Sequence, residues 1–502
     1  MDKKLIINVN VSETRIALME DERAAELYVE RQSNLGMVGN IYKAKVSRVL
    51  PGMQSAFVNI GSDRSAFLYG GDVVDESYLK NLKHNNGKDV DPRSNSNKTP
   101  IEKILKEGDE IMVQVAKEPL GTKGPRVTML ITIPGRYVVL MPDFDNVGIS
   151  RRIEGEALRE KLEKNVESIR PDRMGLIVRT AAAEAKMESL QKDLDYLQKV
   201  WANVQSEMGK HSAPSLLYQE PDLILKTTRD LYSEDVAEIV IDEAQAFSHL
   251  NHFLQGVIPG ADGKLRLYEG MTPVFDYYSL EIDIAKALSR KVWLPSGGYL
   301  VADQTEALTA FDVNTGKYVG SHNARETILK TNLESATEIV HQLRVRNLGG
   351  IIIIDFIDME FEEDRELVNT KLNDALKDDK SRTNVIAINE LGLVQMTRKR
   401  TRESLERALT VDCHYCNGSG RSPSTESAVL DLARDIERYA LRTKRKAIKV
   451  VTRKDIVDRF LNEEKQLYQT LLDRFDLDIK FEVEKVSVDR LVEALYDISA
   501  ER

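Results

Sequence analysis

The chain has 502 residues, of which 42% are hydrophobic and 30% charged, with a net charge of −10. At about 150 residues per domain this implies three or four domains with sizeable cores, and it excludes a disordered chain or a uniformly basic, histone-like binder. The longest apolar run, Leu348 to Ile354, falls far short of the roughly 18 residues that begin to suggest a membrane span. The N-terminus lacks a signal-peptide core, and two cysteines fit a reducing cytoplasm without a disulfide framework.

Residues 1 to 32 read as strand, yet the module that follows needs none of them, so that module reads as an insertion. From Gly39, the segments GNIYKAKVSRV, SAFVNIG, RSAFLY, DEIMVQVAKE and RVTMLI predict five strands of a small OB-type barrel over about 36–133. Residues 80–100, rich in Asn, Lys and Asp, predict a mobile insertion between barrel strands. YVVLMP and GLIVRT predict strands within 134–180. Met187, Leu190, Leu194 and Leu197 then recur at helical spacing. LIL at 223–225 and EIVIDEA at 238–244 return to strand character. From 281 onward strand and helix alternate: GGYLVAD, ALTAFDV, a helix over 324–346, GGIIIIDF, a helix over 363–378, then NVIAINEL and LVQMTRKR. This is an α/β or α+β layered arrangement, and the four isoleucines 351–354 predict a strand buried on both faces.

The strongest chemical pattern is acidic. In ALTAFDVNTG, Asp312 and Asn314 are alternate residues of a predicted strand and share a face. Asp355 ends the isoleucine strand, where open α/β sheets present catalytic groups. Two strand-borne carboxylates beside an amide make a hard-oxygen set suited to Mg²⁺, although an Asp closing a strand is also a common cap or turn residue. Asp358 is expected to cap or orient. Cys413-His-Tyr-Cys416 followed by Gly-x-Gly resembles one zinc-ribbon knuckle; with no second pair in the chain, a four-thiolate zinc site needs two chains. The alternatives are a redox dithiol, for which a thioredoxin-like βαβ setting is lacking in the sequence pattern, and two unrelated thiols. Phe57 and Phe67 lie in barrel strands near Lys43, Lys45, Arg48, Arg64 and Lys123, a pattern suited to base stacking and phosphate contact or, for each Phe alone, to core packing. The basic runs 398–402 and 438–454 read either as a cationic groove or as solvated faces. Neither a P-loop nor a nucleophile elbow is present.

These blocks in this order, with SRRIEG, TNLESATEIVHQLRVRNLGGIIIIDFIDM and CHYCNGSG, resemble the catalytic half of the bacterial ribonuclease E/G family, and the resemblance covers nearly the whole chain. It implies a Mg²⁺-dependent endoribonuclease that cleaves single-stranded, A/U-rich RNA to 5′-monophosphate and 3′-hydroxyl ends, in rRNA and tRNA processing and mRNA decay. It implies an RNase H-like domain (1–35 and 212–280), an OB-fold RNA-binding domain (36–133) and a 5′-sensor region (134–211). A DNase I-like catalytic domain (281–400), a zinc link (401–421) and a small C-terminal domain (422–502) complete the expected architecture. By resemblance, Asp312 and Asp355 are the Mg²⁺ ligands and Asn314 flanks the scissile phosphate. Gly135, Val139, Arg179 and Thr180 are the 5′-monophosphate pocket, and Phe57, Phe67 and Lys123 the barrel's RNA contacts. Cys413 and Cys416 are the zinc link between two protomers, giving a dimer and a dimer of dimers. The chain departs from the family pattern at His414, where Pro usually follows the first Cys, and in its longer 80–100 loop. It also stops soon after the small domain, so the long scaffold arm of the larger members is not expected. The rival readings are a non-catalytic RNA-binding assembly factor and a zinc-dependent redox or assembly protein.

Overall fold

The computed structural model describes residues 2–31, 36–74, 99–119, 124–153, 155–258, 260–316, 324–400, 402–413, 416, 418, 420–443, 445–483 and 496–500. Lys123, His414 and residues 80–98 of the expected loop lie outside the described residues. The chain divides into two compact units, 1–408 and 409–502. Among the described residues no helix is long and apolar enough to cross a membrane.

The first unit opens with an antiparallel meander of β1 (Lys3–Val9), β2 (Glu13–Glu20) and β3 (Arg23–Arg31). Next come β4 (Ile41–Leu50), β5 (Ser55–Asn59), β6 (Ala66–Tyr69), β7 (Glu110–Lys117) and β8 (Arg126–Thr128). Because β4 pairs with both β5 and β7, these five strands close into a barrel around Ala44, Val46, Ala56, Val58, Leu68, Val113 and Val127. A small sheet follows, in which β9 (Ile133–Pro134), β10 (Val138–Met141), β11 (Val147–Ile149) and β12 (Gly175–Val178) lie in the order β11-β12-β10-β9. The Met187–Lys210 helix packs its Leu190, Leu194, Leu197 and Trp201 stripe into the same core. The strand β13 (Ser215–Tyr218) then flanks β4.

The chain now returns to its beginning. Parallel to β1 runs β14 (Val236–Ile241), and β15 (Leu265–Leu267) lies beyond it, giving the order β15-β14-β1-β2-β3. One sheet is therefore built from two distant segments, with the barrel and the small sheet between them in sequence. Residues 223–225 are a correction: they open a helix, Leu223–Leu231, whose start is fixed by Asp222 accepting from the Leu225 amide at 2.9 Å. Three apolar residues carry no periodicity with which to tell helix from strand.

A third sheet has the order β16 (Lys291–Trp293), β17 (Tyr299–Gln304), β18 (Leu308–Asn314), β19 (Gly350–Asp355), then β21 (Leu393–Arg398) and, at the edge, β20 (Thr383–Ile386). Only β18 and β19 run parallel, joined by the crossover that contains the Ala324–Val345 helix. That helix and Glu362–Leu376 cover one face, where Ala336, Ile339, Leu343, Val368 and Leu372 meet Leu300, Phe311, Ile352, Ile354, Val394 and Met396. The isoleucine strand is thus buried on one face only. Ile352 and Ile354 are fully enclosed, each worth about 1.5–3 kcal/mol of burial, while Ile351 is 50% exposed. The open face is what leaves room for a site. Arg344, on the crossover helix, pairs with Glu20 at 2.8 Å and Glu26 at 3.5 Å, tying this layer to the first sheet.

In the basic run 398–402 the three described arginines are tied into the fold. Buried Arg398 forks onto Asp379 and donates to the Leu348 carbonyl, Arg400 donates to that of Gly349, and Arg402 stacks 3.7 Å over Tyr28.

In the second unit the Thr425–Thr443 helix leads into β22 (Ala447–Thr452). Helices Lys454–Asn462 and Lys465–Phe475 lead on to β23 (Asp478–Val483), which is parallel to β22, with β24 (Tyr496–Ala500) antiparallel on the other side. A parallel β-α-α-β crossover is therefore present, contrary to expectation, but the cysteines precede the Thr425–Thr443 helix rather than occupying its first turn. In the basic run 438–454, Arg438, Lys446, Lys449 and Arg453 pair with Asp435, Asp476, Glu482 and Asp455.

Candidate active site

On the open face of the third sheet, alternation sends Phe311 and Val313 into the core and Asp312 and Asn314 outward. Asp312 and Asp355 are direct register partners on the parallel pair β18 and β19. Both carboxylates are exposed. Asn314 Nδ2 donates to Asp312 Oδ2 at 2.9 Å, so the amide holds one carboxylate in place. Burial first, then the nearby charges of Asp312 and Asp358, push the Asp355 carboxyl above the usual carboxylate range.

Asp312 lies within its strand, and Asp355 does not cap the helix that follows it, which begins at Glu362 with Phe361 at its N-cap. Asp358 does not cap it either, and acts on the site as a like charge. The loop after Asp355 is fixed instead by buried Asn332, which accepts from the Ile357 amide at 3.1 Å and donates to its carbonyl at 2.8 Å. Sequence reasoning missed Asn332, although an amide on a buried helix position was a readable signal. Two exposed carboxylates with an adjacent amide fit Mg²⁺, which takes few protein ligands and keeps water and phosphate oxygens. Among the described residues no group of three His, Cys, Asp or Glu could hold an ion.

Around 135–139 and 179–180 a second cluster forms. Asp193, buried on the long helix, accepts from the amides of Arg136 at 2.9 Å, Tyr137 at 2.7 Å and Val138 at 3.0 Å. A Cβ on Gly135 would lie 2.5 Å from the Asp193 carboxylate, so only glycine lets the turn close onto it. Arg179 donates to the Gly135 carbonyl and pairs with Asp230 at 2.9 Å. Burial opposes the charge of Asp230, but Arg229 and Arg179 outweigh it and hold the carboxyl below its usual range. Thr180 Oγ1 lies 3.4 Å from Ser150 Oγ, and Val139 pairs with Ile177, two residues before Arg179. The four sequence candidates are thus brought together, with Asp193, Asp230 and Ser150 added.

On the barrel, Phe57 and Phe67 are register partners with ring centroids 5.9 Å apart, edge to face. Their neighbours Ala56, Val58 and Leu68 fill the core, while Phe57 is 36% exposed. They are surface aromatics rather than core packing. Exposed Arg48 lies opposite Phe57 and Arg126 opposite Phe67. Lys43 serves the fold instead, donating to the Met208 and His211 carbonyls and pairing with Glu110 at 3.0 Å.

In the second unit the Cys416 amide donates to the Cys413 carbonyl at 3.3 Å, and the Gly420 amide donates to Cys416 Sγ at 3.2 Å. A tight turn with an N–H directed at sulfur suits thiolate ligation.

The profile of the ribonuclease E/G family matches residues 132–401, and that of the RNase E/G thioredoxin-like domain matches residues 412–493. The chain is 45% identical over 435 residues to ribonuclease G of Haemophilus influenzae, covering 87% of each. To ribonuclease G of Escherichia coli K12 it is 43% identical over 438 residues, 87% of this chain and 88% of that one. To ribonuclease E of the same strain it is 35% identical over 477 residues, 94% of this chain but 44% of that relative. With a family match across more than half its length and such identity across most of it, the chain belongs to the ribonuclease E/G family.

Proposed function

We propose that this protein is a Mg²⁺-dependent endoribonuclease that cleaves single-stranded, A/U-rich RNA to 5′-monophosphate and 3′-hydroxyl ends. The observation that carries the reading is the register pairing of Asp312 with Asp355 on an open sheet face, with Asn314 bonded to Asp312. Asp312 and Asp355 would hold Mg²⁺, which when bound supplies charge neutralisation at the scissile phosphate. Asn314 orients the Asp312 carboxylate and presents its amide toward the phosphate. Asn332 keeps the Asp355 strand end rigid.

Gly135, Val139, Arg179 and Thr180 form the pocket for a 5′-monophosphate that stimulates cleavage. The Arg179 guanidinium and Thr180 hydroxyl suit a terminal phosphate, which would share Arg179 with Asp230. Phe57 and Phe67, with Lys123, bind the unpaired strand. Cys413 and Cys416 hold one zinc between two chains, making a dimer and then a dimer of dimers. The biological setting is cytoplasmic rRNA and tRNA processing and mRNA decay. The topology also supports reading the first sheet as RNase H-like and the third, with its flanking helices, as DNase I-like.

The test is incubation of purified protein with a 5′-labelled single-stranded oligoribonucleotide, with Mg²⁺ or with chelator. Cleavage is expected with Mg²⁺ only. Asp355→Asn should keep RNA affinity and lose orders of magnitude in rate, since about 1.4 kcal/mol is tenfold. Near-normal turnover of that variant at saturating Mg²⁺ would remove Asp355 from the site.

A further inference from the structure

We infer that Lys291, Trp293 and Tyr299 form a nucleotide platform beside Asp312 and Asn314, on which the base next to the scissile phosphate stacks. The inference rests on the endoribonuclease reading and names a subsite within it. Register puts these residues on the open face: Trp293 lies opposite Tyr299 and Tyr299 opposite Asn314, while Lys291 lies opposite Val301 and Val301 opposite Asp312. The alternating residues Val292, Leu300 and Val313 pack into the core on the other side. With strands about 4.8 Å apart, the aromatic end of this row stands about 10 Å from the amide and carboxylate, within reach of an adjoining nucleotide.

The three side chains are organised among themselves. The Trp293 and Tyr299 rings meet edge to face at 5.5 Å, and Lys291 Nζ lies 4.0 Å from the first ring centre and 3.5 Å from the second. Trp293 is nevertheless 64% exposed. An indole on a short edge strand contributes little to the core beneath, so its exposure calls for an occupant. Three features favour an unpaired RNA strand over a protein. The patch is continuous with the carboxylate pair, it offers a ring face that any base can use, and its one cation is held where a backbone phosphate would pass.

The test compares wild type, Trp293→Leu and Trp293→Phe on a 5′-phosphorylated single-stranded A/U oligoribonucleotide, and on copies with a single abasic nucleotide at successive positions around the cleaved bond. Stacking of one base predicts a KM about 5- to 150-fold higher for Trp293→Leu with little change in kcat, and substantial recovery in Trp293→Phe. An abasic nucleotide next to the cleaved bond should lower wild-type kcat/KM and have no further effect in Trp293→Leu. Binding should also quench indole emission, readable because the only other tryptophan, Trp201, is buried. An unchanged KM with an unchanged abasic penalty overturns the platform and leaves the nuclease standing. Were Trp293→Leu to misfold, unquenched wild-type emission on RNA binding would overturn the platform by itself. Absence of any RNA cleavage by wild type overturns both.

Discussion

The turn at 135–138 hangs on one carboxylate, and removing it is a sharp perturbation. Asp193→Ala strips the acceptor from three amides held at 2.7–3.0 Å. Hydrogen bonds to a charged group are worth about 1.5–3 kcal/mol each, but the burial that raises the Asp193 carboxyl already works against them. A net loss of about 3–5 kcal/mol is expected, from three amides left without an acceptor at about 1–3 kcal/mol each, offset in part by no longer burying the carboxylate. Asp193→Asn should be milder. Its one carbonyl can serve Tyr137 and Val138, as Oδ2 does now, while its NH₂ faces the Arg136 amide, at a cost of about 1–3 kcal/mol for one unsatisfied donor. Because the Gly135 carbonyl accepts from Arg179, the same changes should erode the preference for 5′-phosphorylated over 5′-hydroxyl RNA. Thermal melts and paired cleavage assays on the two oligonucleotides measure both effects. A variant that melts early yet keeps the full 5′ preference would refute the coupling of turn to pocket, and unchanged melting in both variants would refute the energetic argument.

Asp312→Asn should share with Asp355→Asn a raised Mg²⁺ requirement in cleavage titrations, and a normal requirement in either would break the shared-metal reading. Phe57→Ala and Phe67→Ala should each weaken RNA binding by about 1–3 kcal/mol in equilibrium titrations with little change in melting, since the rings lie outside the barrel core. Burial alone pushes Asp143 up to about 6, above the unfolded value of about 3.9. Its contribution to stability is therefore complete below pH about 4 and lost as pH rises through about 6, so Asp143→Asn should stabilise by about 1–3 kcal/mol at pH 8 and not at pH 4, in denaturant melts. Cys413→Ser should release zinc and lower the solution mass, starting from half a zinc per protomer; one zinc per protomer, or an unchanged mass after metal loss, would refute the shared link.

Strands announced themselves where alternation was strong. The five barrel segments and the Asp312–Asn314 pair could be read because period-two patterning states which residues share a face. The isoleucine run could not, since a continuous apolar stretch does not say whether one face or two will be covered. Charge runs hid their partners: Arg398 looks like a surface cation until Asp379, nineteen positions earlier, closes on it. Asp193 and Asn332 were passed over because each is a polar residue in an amphipathic helix. Yet Asp193 falls on the stripe of Leu190, Leu194 and Leu197, and an acid on an apolar stripe is evidence of a buried acceptor. Clusters assembled from elements distant in sequence, such as Arg179 with Gly135 and Asp230, are set by tertiary approach and leave no periodic trace.

The discontinuous first sheet has a consequence for synthesis. The strand β1, with Leu5, Ile6 and Ile7 wholly enclosed in the finished protein, needs β14 along one edge. About 200 residues separate β3 from β14. At roughly 5–20 residues per second, the ribosome leaves that hydrophobic edge unpaired for about 10–40 seconds. The barrel, whose strands are contiguous in sequence, can close first. The nascent chain therefore carries a folded module beside an open sheet edge, the kind of surface that holdase chaperones cover and that crowded ribosomes pair wrongly.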